Sequence, residues 1–418
     1  MKINKLFRSL ILLLVLSMVG SAWADLELRI SKTSNRGIPI VIAPIDGGAH
    51  AIIEADLNRS GRFKIVSSKR ATNMATFGAK LDPARLKMLG AAFLVRGRRT
   101  QAGLDVELIS TATGRRDASY RIANQPNPRR VAHQAADRIF EQLIKVKGAF
   151  DTRLAYVTVT GRAAGNRVYR LYVSDADGYN PRVILTSHKP VMSPSWSYDG
   201  SQVAYVSFER GTPAVYVQNI YSGQKRMVSA RKGINGAPSW SPDGKKLALS
   251  LSVDGNPEIY VLSLHNGAFK RLTNSRAIDT EPNWTQDGRS IIFTSDRGGR
   301  PQLYEISANG GGAKRVTYDG SYNSSADVKG DKIAFIRRVS GAFRVAVKDR
   351  GRRGANIVSD GRLDESPSFA PNATMVVYAT QNNGRGTLSV VSDNGYARQE
   401  LFSPAGEVRE PAWSPYLR

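Results

Sequence analysis

Pro238-Ser-Trp-Ser-Pro-Asp-Gly244 is the stretch from which the architecture can be read. Asp-Gly tolerates the positive φ of a tight turn, so the aromatic residue three positions earlier closes a strand that enters that turn. The same text stands 44 residues upstream as Pro194-Ser-Trp-Ser-Tyr-Asp-Gly200 and 44 downstream as Pro282-Asn-Trp-Thr-Gln-Asp-Gly288. Weaker copies follow at Pro367-Ser-Phe-Ala-Pro-Asn372 and Pro411-Ala-Trp-Ser-Pro415. With Asp327 filling the remaining phase, the anchors Trp196, Trp240, Trp284, Asp327, Phe369 and Trp413 are separated by 44, 44, 43, 42 and 44 residues. A second register, Tyr172, Tyr216, Tyr260 and Tyr304, repeats at 44 residues beside the first.

Each period reads as four short strands. In one copy these are Ala237–Trp240, Lys246–Leu251, Glu258–Leu264 and Lys270–Thr273, with turns at Asp243-Gly244, Asp254–Pro257 and Asn266-Gly267. Four strands in ~40–45 residues is the period of a β-propeller blade. Second strands recur at Leu154–Thr158, Gln202–Val206, Lys246–Ser250, Ser290–Phe293, Lys332–Phe335 and Met375–Tyr378, which makes six blades. The first lacks a preceding Trp-type strand, and Pro411–Leu417 is such a strand without a successor. Joining the two closes the ring and hides its open edges. The anchor aromatics are read as packing between blades, rather than as ligand-stacking platforms.

Residues 25–148 lack the period. Ile38–Pro44 is an apolar strand, His50–Asn58 has helical spacing and Arg62–Val66 is a strand. A short helix starts at Asp82-Pro83, and Ala92–Arg98 with Leu104–Ile109 forms a hairpin. Pro128–Val146 is an amphipathic helix ended by Gly148. The expected fold class is therefore an α/β N-terminal domain with a mixed sheet, residues 25–148, ahead of an all-β six-bladed β-propeller, residues 149–418. Residues 1–24 read as a signal peptide. Lys2, Lys5 and Arg8 precede the apolar run Leu10–Val19, and Ala22-Trp-Ala24 offers a cleavage site before Asp25. That run is about ten residues, short of the ~20 that span a membrane.

Composition excludes several chemistries. The 418 residues contain no cysteine, so disulfides, thiolate catalysis and cysteine-bound metals are ruled out. The formal charge is +25, but the arginine pairs (Arg98-Arg99, Arg129-Arg130, Arg337-Arg338 among them) are scattered and carry no nucleic-acid signature. The reading is solvated surface charge, with attraction to anionic envelope components. His50, His133, His188 and His265 have no metal-site spacing. Neither a nucleophile elbow nor a phosphate loop occurs.

The channel mouth is where blades connect. Among the three residues before each Pro-x-Trp position, Asp279, Glu281, Asp364, Glu365 and Glu410 are acidic and only Arg409 is basic. Two readings of this acid stand open. An acidic funnel would favour a cationic peptide or a Ca²⁺ ion in the channel; otherwise the acids cap strands and pair with Arg276 and Arg362. No catalytic residue, resident metal or other cofactor is expected.

The signal peptide, the α/β domain and the Pro-x-Trp-Ser-Pro-Asp-Gly blades together resemble the TolB family, periplasmic components of the Tol–Pal system. The likeness spans the chain after residue 24. It is carried by Lys147-Gly-Ala-Phe-Asp-Thr-Arg-Leu-Ala-Tyr-Val157, Val173-Ser-Asp-Ala-Asp-Gly-Tyr-Asn180, Asn235-Gly-Ala-Pro238, Thr280-Glu-Pro282, Phe293-Thr-Ser-Asp296 and Pro411–Leu417.

The resemblance implies binding of the lipoprotein Pal at the channel mouth, with Asn235, Gly236, Ala237, Thr280 and Glu281 as contacts by matching motif. Asp279, Asp364, Glu365, Arg409 and Glu410 share that mouth. It implies binding of TolA by the mature N-terminal segment Asp25, Leu26, Glu27, Leu28, Arg29, Ile30 and Ser31, whose alternation suits an added strand. It further implies a part in outer-membrane integrity and in invagination during cell division, with colicins and other outer-membrane proteins as further partners. Ile234 departs from the pattern, standing where a His can occur, and Asp327 replaces a Trp. Two functional classes follow: a periplasmic interaction scaffold, or an exported propeller hydrolase or lyase with its site in the channel.

Overall fold

The computed structural model describes residues 30–32, 36–161, 164–382, 384–404 and 406–417; the expected signal peptide lies outside them. Six antiparallel sheets succeed one another as blades. Blade I pairs Glu407–Trp413 with Arg153–Thr160, Val168–Asp175 and Arg182–Ser187, so the C-terminal strand closes the ring as read from sequence. Blade II begins with Val191–Trp196, blade III with Asn235–Trp240 and blade IV with Asp279–Trp284. Blade V begins with Asn323–Lys329 and blade VI with Glu365–Phe369. Outer strands are short. In blade III the outer strand is Phe269–Arg271, stopping before Thr273 because that hydroxyl accepts from Ile259 N (2.9 Å) and takes over the ladder.

The repeated motif works as two devices. In the turn, Ser241 Oγ donates to Asp243 (2.6 Å), whose carboxylate also accepts from Lys245 N (3.0 Å), while Gly244 sits at φ 68. Such a φ is open to glycine without the Cβ clash other residues meet. On the strand, the anchor aromatic is buried against the neighbouring blade. Trp240 Nε1 donates to Ser195 O of blade II (3.1 Å), and Trp196 Nε1 to Ala412 O of blade I (3.0 Å). Trp413 N reaches Ser368 Oγ of blade VI (3.0 Å). Asp327 replaces this wedge by hydrogen bonds, accepting from Asn283 Nδ2 of blade IV (3.1 Å) and Phe369 N of blade VI (2.6 Å).

The N-terminal domain is a five-stranded mixed sheet in the order Phe63–Val66, Ile38–Ile42, Phe93–Thr100, Gly103–Ser110, Arg116–Ala123. The first three are parallel, the rest antiparallel. Helix α1 spans Ala49–Arg59, α2 Pro83–Met88 and α3 Pro128–Ile144. Pro128 at the first position and Asn127 accepting from Arg129 N (3.0 Å) start α3. Its end is a left-handed cap at Lys145 rather than at Gly148. Gly148 serves a different purpose: a Cβ there would lie 2.4 Å from Asp137 Cα, so glycine lets the join press against α3.

The two domains share one apolar core, running from Ile53, Phe63 and Phe140 through Phe150 to Met375, Val390 and Trp413. Around it lies an ionic cluster. His133 Nδ1 is 2.6 Å and Nε2 3.3 Å from carboxylate oxygens of Asp56 and Asp177 respectively. Arg59 pairs with Asp56, Arg129 with Asp177, and Arg62 with Asp393. Burial opposes a charge on His133, but the two carboxylates outweigh it and hold its pKa well above the usual value. Burial likewise opposes the Asp177 charge, yet His133 and Arg129 hold it well below the usual carboxylate range. These contacts use the third-to-fourth-strand turns of blades I and VI. The first-strand starts therefore open at the opposite, distal end of the propeller.

Candidate functional site

The channel holds a cavity of about 600 Å³. Its wall includes one left-handed residue from every blade: Ser193, Ala237, Glu281, Ser325, Ser366 and Glu410, with φ between 47 and 54. Each sits at a bulge where the first strand loses register with the second. Non-glycine residues held there cost ~1–3 kcal/mol each and persist only when their surroundings fix them. Two of them supply the fixing themselves. Glu281 accepts from Ser325 N (2.8 Å), Ser325 Oγ (2.7 Å) and Thr294 Oγ1 (2.8 Å), tying blade IV to blade V. Glu410 accepts from Ser193 N, tying blade I to blade II. Burial pushes the Glu410 carboxyl up, and that amide only partly offsets it.

A buried pin stands at, or one residue before, the start of several inner strands. Asn235 accepts from Ser229 Oγ (2.7 Å) and Arg231 N (2.9 Å) and donates to Arg231 O (2.6 Å). Asp279 pairs with Arg297 (2.7 Å), and Asp364 accepts from Ser359 and from Thr380 (2.6 Å). Burial raises the pKa of both carboxyls, with these partners offsetting part of the shift.

The structure thus corrects the expected acidic mouth. Of its five acids, Asp279 and Asp364 are buried, Glu281 and Glu410 brace neighbouring blades, and Glu365 alone is exposed. Residue type shows which side chains are acidic but not where they point. The strand-capping half of the sequence reading holds. Its partner arginines do not: Arg276 and Arg362 make no ion pair with these acids among the described residues. Gly236, Ala237 and Thr280 are half-buried, Ala237 alone of the three lining the cavity, and Arg409 is exposed beside Glu407 (2.7 Å).

Of the residues that crown the distal mouth, sequence reasoning singled out Ile234, as a departure from the family pattern, and missed Ile278 and Leu363. Ile234, Ile278 and Leu363, each immediately before a pin, are 48%, 50% and 48% exposed. Their backbone is held: Ile234 N donates to Ser252 Oγ (2.8 Å) and Ile278 N to Asp296 (2.8 Å). An apolar residue recurring in phase just ahead of the motif was the available signal.

Of the expected TolA segment, residues 25–29 lie outside the described residues. Ile30 and Ser31 belong to a strand, Ile30–Lys32, that adds antiparallel to the outer edge of blade VI at Arg398-Gln399. The group with metal-ligand spacing among the described residues is His133, Asp175 and Asp177, at the domain interface and not in the channel. Arg129 holds Asp177, and Asn127 (2.9 Å) and Asn180 (2.6 Å) hold Asp175. No helix among the described residues is long and apolar enough to cross a membrane.

Residues 140–417 match the family model for the TolB β-propeller domain, and residues 26–115 that for the TolB amino-terminal domain. The Tol-Pal system protein TolB of Xanthomonas oryzae pv. oryzae is 48% identical over 435 residues, covering 99% of each chain. That of Xanthomonas euvesicatoria is 52% identical over 376 residues, covering 88% of this chain and 85% of the relative. The crystal structure of TolB from Acinetobacter baumannii superposes with a TM-score of 0.85 at 40% identity, covering 93% of this chain and 99% of that one. A hydrazine synthase from Kuenenia stuttgartiensis, at 14% identity and TM-score 0.52, shares the fold alone.

Proposed function

The chain belongs to the TolB family, and from that premise we propose that it is a periplasmic interaction scaffold of the Tol–Pal system. In this reading Pal docks at the distal mouth and TolA binds the N-terminal segment of residues 25–31. Bridging the two supports outer-membrane integrity and invagination at division. The observation that carries the reading is the crown of Ile234, Ile278 and Leu363, apolar side chains held in water on a fixed backbone at the end not covered by the N-terminal domain. Apolar side chains presented together at a surface mark interaction sites.

The reading assigns no catalysis. A hydrolase needs a nucleophile, a base and an orienting group within reach of one another. The channel wall instead offers serines at bulges and carboxylates engaged in bracing. Ca²⁺ in the channel remains a proposal, one in which Glu281 and Glu410 would ligate through the lone pairs that their bracing bonds leave open.

Calorimetric titration with the soluble domain of Pal tests the reading. Ile234→Asp with Ile278→Asp should weaken binding by on the order of 100-fold, as loss of two interface anchors at ~1–2 kcal/mol each implies. The melting curve should not move. Wild-type affinity in the double variant, or no binding by the wild type, would overturn it.

A further inference from the structure

We infer that the distal mouth is built to receive an acidic protein surface: Arg231, Lys232, Arg276 and Arg362 frame the exposed Ile234, Ile278 and Leu363. This rests on the docking site proposed above and adds the chemistry of what docks there.

The arrangement repeats with the blades. In the connections entering blades III, IV and VI, a basic residue stands one to three positions before the exposed aliphatic one, which stands directly before the pin. All four basic residues are exposed, and none has an acidic partner at ion-pair distance among the described residues. Their backbone is prepared. The Asn235 side chain clamps Arg231 through both its N–H and its C=O, and the Arg231 guanidinium lies 4.5 Å from the Phe269 ring centroid. Arg362 O accepts from Phe343 N (2.9 Å). Holding these groups in place before binding reduces the ordering cost of association.

Nearby carboxylates offset the charge only in part: Asp296, which accepts from Ile278 N (2.8 Å), and the exposed Glu365 make no ion pair among the described residues, against four basic residues. Asp254 is taken by Arg271 (2.9 Å), Asp279 by Arg297 (2.7 Å) and Glu407 by Arg409 (2.7 Å). Asp364 is buried and engaged by Ser359 and Thr380, and Glu410 accepts from Ser193 N, so neither carboxylate faces the rim. A cationic peptide, the occupant favoured by an acidic funnel, would therefore meet like charge at the rim. A partner with carboxylates around an apolar centre meets opposite charge there, and the aliphatic residues then fill its centre. Charges at a rim act on encounter more than on residence.

Stopped-flow association with the soluble domain of Pal, at about 0.02 M and about 0.3 M salt, tests this. The wild-type association rate should fall by on the order of 10-fold at the higher salt. Arg231→Glu, Arg276→Glu and Arg362→Glu together should slow low-salt association by more than that and reverse the sign of the salt dependence, with the melting temperature unchanged. Neutral Gln at the same three positions should give an intermediate rate. Pal binding that ignores both salt and charge reversal refutes the inference and leaves the docking site standing. Faster association after charge reversal would show a cationic partner surface and refute it as well. Failure of the wild type to bind Pal removes the site itself, and the inference with it.

Discussion

Replacing Glu281 by Ala separates two roles that the sequence could not distinguish. A contact residue would cost affinity without stability; a brace costs stability first. Glu281 accepts three hydrogen bonds, two from Ser325 in the next blade and one from Thr294. Bonds to a charged acceptor contribute ~1.5–3 kcal/mol each. The two hydroxyls can turn to other acceptors, whereas Ser325 N, fixed at φ 53, keeps only its longer bond to Thr294 Oγ1 (3.2 Å). We therefore expect a net loss of ~2–4 kcal/mol for Glu281→Ala. At ~2–4 °C per kcal/mol for a domain this size, the melting temperature should fall by about 4–16 °C. Scanning calorimetry measures it, and titration with Pal below the transition measures binding. A melting temperature within a degree of wild type, with Pal binding lost, would refute the bracing assignment and restore Glu281 as a contact.

Three further outcomes follow from the geometry. Trp240→Phe breaks the bond to Ser195 O and should cost about 1 kcal/mol more in urea denaturation than Trp284→Phe, whose indole N–H has no protein acceptor among the described residues. Equal costs would contradict the stitching role. Burial raises both the Asp137 and the Glu54 carboxyl to about 7. Protons held in the folded state and lost from the unfolded chain mean that stability declines as pH rises from about 4 to about 7. Asp137→Asn with Glu54→Gln should flatten the urea midpoint across that window; an unaltered slope would count against it. Deleting residues 25–31 should abolish TolA binding and spare Pal, and retained TolA binding would exclude that segment.

The blades were legible because a propeller repeats its chemistry at one spacing, so even Asp327 could be placed by phase without its Trp. The strand Arg116–Ala123 was not picked out, although Ala118, Tyr120 and Ile122 alternate. It is an edge strand with charged residues facing water, and its apolar face is weak. The end of α3 was put too late, because a left-handed Lys145 leaves no residue-type signal and Gly148 resembles a cap. At the mouth, position was readable and direction was not. Asn235, Asp279 and Asp364 occupy the expected places but turn inward to pin the incoming strand. The ring of left-handed residues was invisible because no single side-chain type runs through its three serines, two glutamates and one alanine. His133 has no ligand partner within reach in sequence because its partners are Asp56, 77 residues away, and Asp177 in the other domain.

The seam between Glu407–Trp413 and Arg153–Thr160 joins positions as far apart as 261 residues in sequence. A chain delivered N-terminus first therefore presents the opening sheet of the propeller early and leaves it unfinished until the last few residues arrive. Until then the Arg153–Thr160 edge offers unpaired amides and carbonyls to any other strand nearby, a hazard that grows with crowding. Shielding by a holding chaperone, or rapid delivery of the tail, would protect the nascent ring. Loss of a dozen C-terminal residues should leave it open rather than merely shortened.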